Sequence, residues 1–113
     1  MHSPLPEQER TRSALVETLK PFYPGSHALP QGELIGRVRA LVGGRHPNNV
    51  LRGYTCAHAA IRRNDGSVNH LVVLTPPQGE SIQVESADAD VAFADAVTEA
   101  LRRALSRADS RVE

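Results

Sequence analysis

The chain has 113 residues, 13 basic and 13 acidic side chains, a sequence pI near 7.0, and a composition that is 40% hydrophobic but only 4% aromatic with no Trp. That length supports one domain, spanning 1–113, with an aliphatic core; the longest apolar runs, such as Leu71 to Leu74, fall far short of the roughly 20 residues that cross a bilayer, so no membrane span is expected. Cys56 is the single cysteine, which excludes an internal disulfide, and no basic-then-apolar leader opens the chain, so the expected location is cytoplasmic.

Residues 1–6 read as a loose arm because Pro4 and Pro6 restrict the backbone and nothing apolar recurs. A first helix is expected from Glu7 to Lys20, with acids in its first turn, Lys20 in its last, a stripe of Leu15, Val16 and Leu19, and Pro21 as its stop. Phe22 and Tyr23 then enter a Pro24-Gly25-Ser26 turn, where a plug over the core is the expectation and ligand stacking the alternative. A second helix is expected from Pro30 to Val42, burying Leu34, Ile35, Val38, Leu41 and Val42 and ending at Gly43. Gly32, Gly36 and Ala40 fall on one line of it, which suggests close backbone approach to a neighbour.

Residues 43–53 are rich in turn formers. Gly43 and Gly44 follow a helix rather than leading from a strand into one, the wrong order for a loop that cradles phosphate. The next stretch organises the chain. Asn64-Asp65-Gly66 separates an arm running from Tyr54 to Arg63 from one running from Ser67 to Thr75, and Gly at the last loop position suits a three-residue hairpin loop that opposes Arg63 to Ser67. This register puts Ala57, Ala59, Ile61, Leu71 and Val73 on one face and Cys56, His58, Ala60, His70, Val72 and Leu74 on the other. The first face, free of His, is expected to be the core. After the Pro76-Pro77-Gln78-Gly79 turn, Ser81 to Glu85 reads as a third strand with Ile82 and Val84 inward.

Ser86, Asp88 and Asp90 supply caps for a last helix from Asp90 to Arg107, apolar at Phe93, Val97, Ala100, Leu101, Ala104 and Leu105, and residues 108–113 read as a loose tail. Capping accounts for Asp88 and Asp90 better than a calcium loop does, since the interleaved Gly and terminal Glu are missing. The expected class is therefore α+β: a three-stranded antiparallel sheet with two N-terminal helices and one C-terminal helix, in the order ααβββα. From Gly32 to Arg107 the order helix, three strands, helix resembles the topology of a double-stranded RNA-binding domain. Such domains carry basic residues where this chain has Asp88 and Asp90, and acids facing phosphates repel, which counts against duplex RNA by that mode.

Neutrality hides a segregation of charge. Residues 34–64 hold six Arg and no acid, and residues 65–101 hold seven acids and no Lys or Arg. Either the fold interleaves these segments or the molecule has a basic end and an acidic end. No motif assigns catalytic, cofactor-binding or metal residues, and no cofactor is expected. The first functional expectation is a non-enzymatic interaction or regulatory module, homodimeric or bound to another protein, using Cys56, His58, His70, Val72 and Leu74 as a face too apolar to stay in water. The second is nucleic-acid binding through Arg37, Arg39, Arg45, Arg52, Arg62 and Arg63. The third is a small enzyme or metal site around Cys56, His58 and His70, although no Cys-x-x-Cys or His-x-x-x-His spacing fixes a ligand geometry there.

Overall fold

A computed structural model describes residues 7–112 of the chain. Helix α1 spans Glu7–Leu19, α2 Gln31–Arg39 and α3 Ala89–Val112; strands β1 (Thr55–Arg62), β2 (Val68–Thr75) and β3 (Ile82–Ser86) form one antiparallel sheet in the order β1-β2-β3. The order ααβββα and the α+β class follow the sequence expectation. The expected arm at residues 1–6 lies outside the described residues.

Each helix is set by local chemistry. Pro21 cannot donate to the helix, and α1 closes with the Lys20 N–H on the Val16 carbonyl at 2.8 Å. Arg12 on α1 reaches the following connection, donating to the carbonyls of Leu29 at 2.6 Å and His27 at 3.0 Å and to Gln31 Oε1 at 3.2 Å. It thereby ties α1 to the start of α2. Helix α2 stops at Arg39 rather than Val42, because the N–H groups of Leu41 and Val42 turn to Val38 and Arg39 in tight bonds of 2.9 and 3.2 Å. Gly43 follows at φ +83°, the left-handed stop that Gly tolerates. Asp88 Oδ1 caps α3 by accepting the N–H of Asp90 at 2.8 Å and of Val91 at 3.3 Å. The helix runs past Arg107 to Val112, so the expected tail from 108 continues it.

The hairpin has the expected register. Arg63 N–H donates to Ser67 O at 2.8 Å, Gly66 sits at φ +90°, and Ala59 lies opposite Leu71. The face assignment is reversed. Val72, Leu74 and Ile82 are buried to 2%, 0% and 4% exposure and join Phe93, Val97 and Ala100 of α3 in the core, whereas Leu71 and Val73 are half-buried and Ala57 and Ala59 are exposed. The physical reason lies in β3. Val72 pairs with Val84 and Leu74 with Ile82, while Leu71 and Val73 pair with the polar Glu85 and Gln83. Only the first side is apolar across both covered strands. Helix α3 lies across β2 and β3 with α1 against it, and β1 extends to the side, exposed along nearly its whole length.

Two further expectations change. Gly32 and Gly36 have nothing within 4 Å of where a Cβ would stand, so they face solvent and serve no close approach within the chain. Phe22 is half-buried and T-shaped to His46, with ring centroids 5.0 Å apart, while Tyr23 is exposed beneath the Arg37 guanidinium at 4.6 Å. Only Phe22 approaches the expected plug.

Candidate functional site

The open end of the sheet is built by β1. Because Arg63 and Ser67 share a ladder hydrogen bond, the alternation of antiparallel pairing turns the N–H and C=O groups of Ile61, Ala59 and Ala57 toward β2. Those of Cys56, His58, Ala60 and Arg62 point to the free edge. One sheet face there carries Ala57, Ala59 and Ile61 with Leu71 and Val73, uncovered by any helix; the other, on the α3 side of the sheet, carries Cys56, His58 and Ala60.

The face expected from the sequence divides accordingly. Val72 and Leu74 lie in the core beneath α3 and are removed from any contact surface. Cys56 and His58 are exposed and His70 is half-buried, and these three remain accessible. His58 Nε2 and His70 Nδ1 are 2.9 Å apart, with ring planes 25° apart and centroids separated by 5.1 Å. Burial of the Cys56 thiol against its neighbours pushes its pKa up, although the residue as a whole is exposed, and the Arg39 guanidinium opposes the shift. A raised pKa keeps the thiol protonated at neutral pH, the opposite of what a nucleophile requires.

The six expected polyanion contacts also divide. Arg37 pairs with Glu33 at 3.0 Å, Arg39 with Asp90 at 3.5 Å while lying 4.6 Å over the Phe93 ring, and Arg63 with Glu85, whose carboxylate also accepts from Asn69 Nδ2 at 2.9 Å. Two of these pairs join the basic segment to the acidic one, so the fold interleaves the charge that the sequence segregates. Arg45, Arg52 and Arg62 are exposed and form no ion pair among the described residues.

A cleft of about 560 Å³ opens between the loop 47–54, the Pro76-Pro77-Gln78 turn and the end of α3, with the exposed Arg52 and Arg107 in its lining. Its floor rests on a feature that the sequence reading missed, the buried Asn49. This side chain donates to the Leu41 carbonyl at 2.7 Å and accepts the Leu51 N–H at 3.0 Å, bracing the loop so that Leu51 and Tyr54 enter the core. An Asn amid turn formers reads as a loop residue, and its burial depends on contacts that only the fold makes.

Among the described residues no group of three or more His, Cys, Asp or Glu converges as a metal cage, and no helix is long and apolar enough to cross a membrane. Comparison with protein-family models, curated proteins and solved structures finds no match to this chain.

Proposed function

We propose that this chain is a non-enzymatic interaction module that assembles with a second copy of itself by pairing β1 edge to edge. One observation carries the reading: β1 is an eight-residue edge strand, exposed along nearly its whole length, with no Pro, bulge or charged side chain between Thr55 and Ile61. Natural sheets guard exposed edges with those devices, because unpaired N–H and C=O groups recruit another strand. The opposite edge, β3, is shorter at five residues and carries Glu85.

A second copy fits this edge in charge as well as in hydrogen bonding. Antiparallel pairing about a two-fold axis sets the outward groups of Cys56, His58 and Ala60 against the same groups of the second copy, and it carries Arg62 and Arg63 to opposite ends of the seam instead of across from each other. The two uncovered apolar faces then join into one. The nucleic-acid reading has less support, because Arg37, Arg39 and Arg63 are already neutralised within the fold. Sedimentation equilibrium across micromolar concentrations tests the proposal: a concentration-dependent dimer is expected, and a monomer throughout the range would exclude it.

A further inference from the structure

The edge strand and its neighbour also carry a pair of ligands that the backbone pairing of the edge does not use. We infer that His58 and His70 form a bidentate site for a divalent d-block cation of the zinc, nickel or copper type, which clamps β1 to β2. The two residues lie on adjacent strands and on the same face, one register step apart on the diagonal, since His58 is opposite Val72 and His70 opposite Ala60. Their nearest nitrogens are 2.9 Å apart and the ring planes are close to parallel. Together with the 5.1 Å centroid separation, this means that the rings meet nitrogen to nitrogen and not face to face.

In the metal-free chain one nitrogen must donate a proton to the lone pair of the other. A cation takes both lone pairs instead, which requires only the donor ring to move its proton to the nitrogen that faces away, where the acceptor ring already carries its own. Two metal–nitrogen bonds of about 2.0 to 2.1 Å span a nitrogen separation of about 2.9 Å at a right angle and about 3.3 Å at the tetrahedral angle. The observed spacing equals the first, and each ring turns so that its lone pair swings from the other nitrogen toward a cation lying off the line between them. Imidazole suits zinc, copper and nickel and not magnesium or calcium, which take oxygen ligands.

The site is half of a coordination sphere. Cys56 shares its face, but no third ligand converges among the described residues, so water fills the remaining positions, which open outward at an exposed strand. Arg62 follows Ala60 on the same face, and its positive charge opposes the cation. A cross-strand chelate binds the folded hairpin and not the unfolded chain, so occupancy stabilises the fold by mass action.

The test uses the chelator-treated full chain, titrated with zinc chloride and with nickel chloride by calorimetry, with thermal melts in parallel. The expected result is one ion per chain, a raised melting temperature, and loss of both effects in His58→Ala and in His70→Ala, each checked as folded by circular dichroism. His27→Ala, remote from the pair, is expected to bind like the parent chain, and Arg62→Ser to bind more tightly. Absence of binding in the parent chain, or binding that survives both His58→Ala and His70→Ala, overturns the inference. Both ligands belong to one copy, so the titration is run also on Ala60→Pro, where binding is expected to persist in the monomer and its loss would overturn the site without bearing on the edge pairing.

Discussion

Leu74 lies opposite Ile82 across the β2–β3 ladder, and both side chains are buried beneath α3, at 0% and 4% exposure. One position earlier, Val73 is opposite Gln83 on the open side. Substitutions of identical chemistry on the two sides therefore have different consequences. Leu74→Ala removes buried methyl groups and leaves a cavity, and is expected to cost about 2 to 5 kcal/mol. Leu71→Ala, on the uncovered face, is expected to cost less than about 1 kcal/mol because little area leaves contact. Urea unfolding of the two variants measures the difference, and equal losses would contradict the placement of α3.

That reversal shows where the sequence was legible and where it was not. The hairpin register was readable because Asn64-Asp65-Gly66 constrains the loop through turn chemistry alone: Gly66 takes the positive φ, and Asp65 Oδ1 accepts both the N–H and the hydroxyl of Ser67, at 2.9 and 2.6 Å. The choice of buried face was not readable from β1 and β2. Leu71 to Leu74 is apolar on both sides, and of the His residues that made one side look wet, His58 sits on the exposed β1 and His70 near the start of β2, short of its buried part. The deciding residues were Ile82 and Val84, which the sequence already placed inward. Carrying their pairing back to Leu74 and Val72 identifies the core side. The Arg39–Asp90 and Arg63–Glu85 pairs lay beyond reach for a different reason, since each joins residues that only the folded topology makes neighbours.

Asn49 offers a second prediction. Its amide serves two backbone groups, the Leu41 carbonyl and the Leu51 N–H, in a buried setting. Asn49→Ala strands the Leu51 N–H and leaves the Leu41 carbonyl with the Gly44 N–H alone, and an unsatisfied buried group costs about 1 to 3 kcal/mol. Asn49→Asp retains the acceptor but loses the donor and places a charge there, so it is expected to be at least as damaging. Hydrogen exchange at Leu51 should accelerate in Asn49→Ala while the β2–β3 amides stay protected longer. Unchanged exchange at Leu51 would mean that the loop does not depend on this side chain.

Acid should weaken the C-terminal half of α3 at an unusually low pH. Hydrogen bonds from Arg102, aided by Arg103, hold the Glu99 carboxyl down at about 2, against an ordinary value of 4.5. A carboxyl depressed in the folded state contributes stability that is fully present above its unfolded value and is lost as pH falls through the folded one. The window therefore runs from about 4.5 down to about 2. The pair is partly solvent-exposed, so the loss is small and screened by salt. A carboxyl carbon titration by NMR should place the Glu99 midpoint near the lower value, and Arg102→Ala should move it upward. A midpoint in the usual carboxylate range would dissolve the pairing.

Proline placed along β1 separates the edge from the ladder. The N–H of Ala60 points outward, so Ala60→Pro removes a donor that no strand of its own chain uses, and its ring fits an edge position. The N–H of Ala59 points toward Leu71, so Ala59→Pro deletes a ladder hydrogen bond and forces its ring against β2. Ala60→Pro is therefore expected to keep the thermal transition within a few degrees of the parent chain while shifting the sedimentation equilibrium to monomer. Ala59→Pro should lower the thermal transition well below that of Ala60→Pro or unfold the hairpin outright. Ala60→Pro that stays folded and dimeric would move the contact away from the β1 edge and onto the uncovered face of Ala57, Ile61 and Leu71. Leu71→Asp then identifies that face, because a charge there would dissociate a dimer that Ala60→Pro leaves intact.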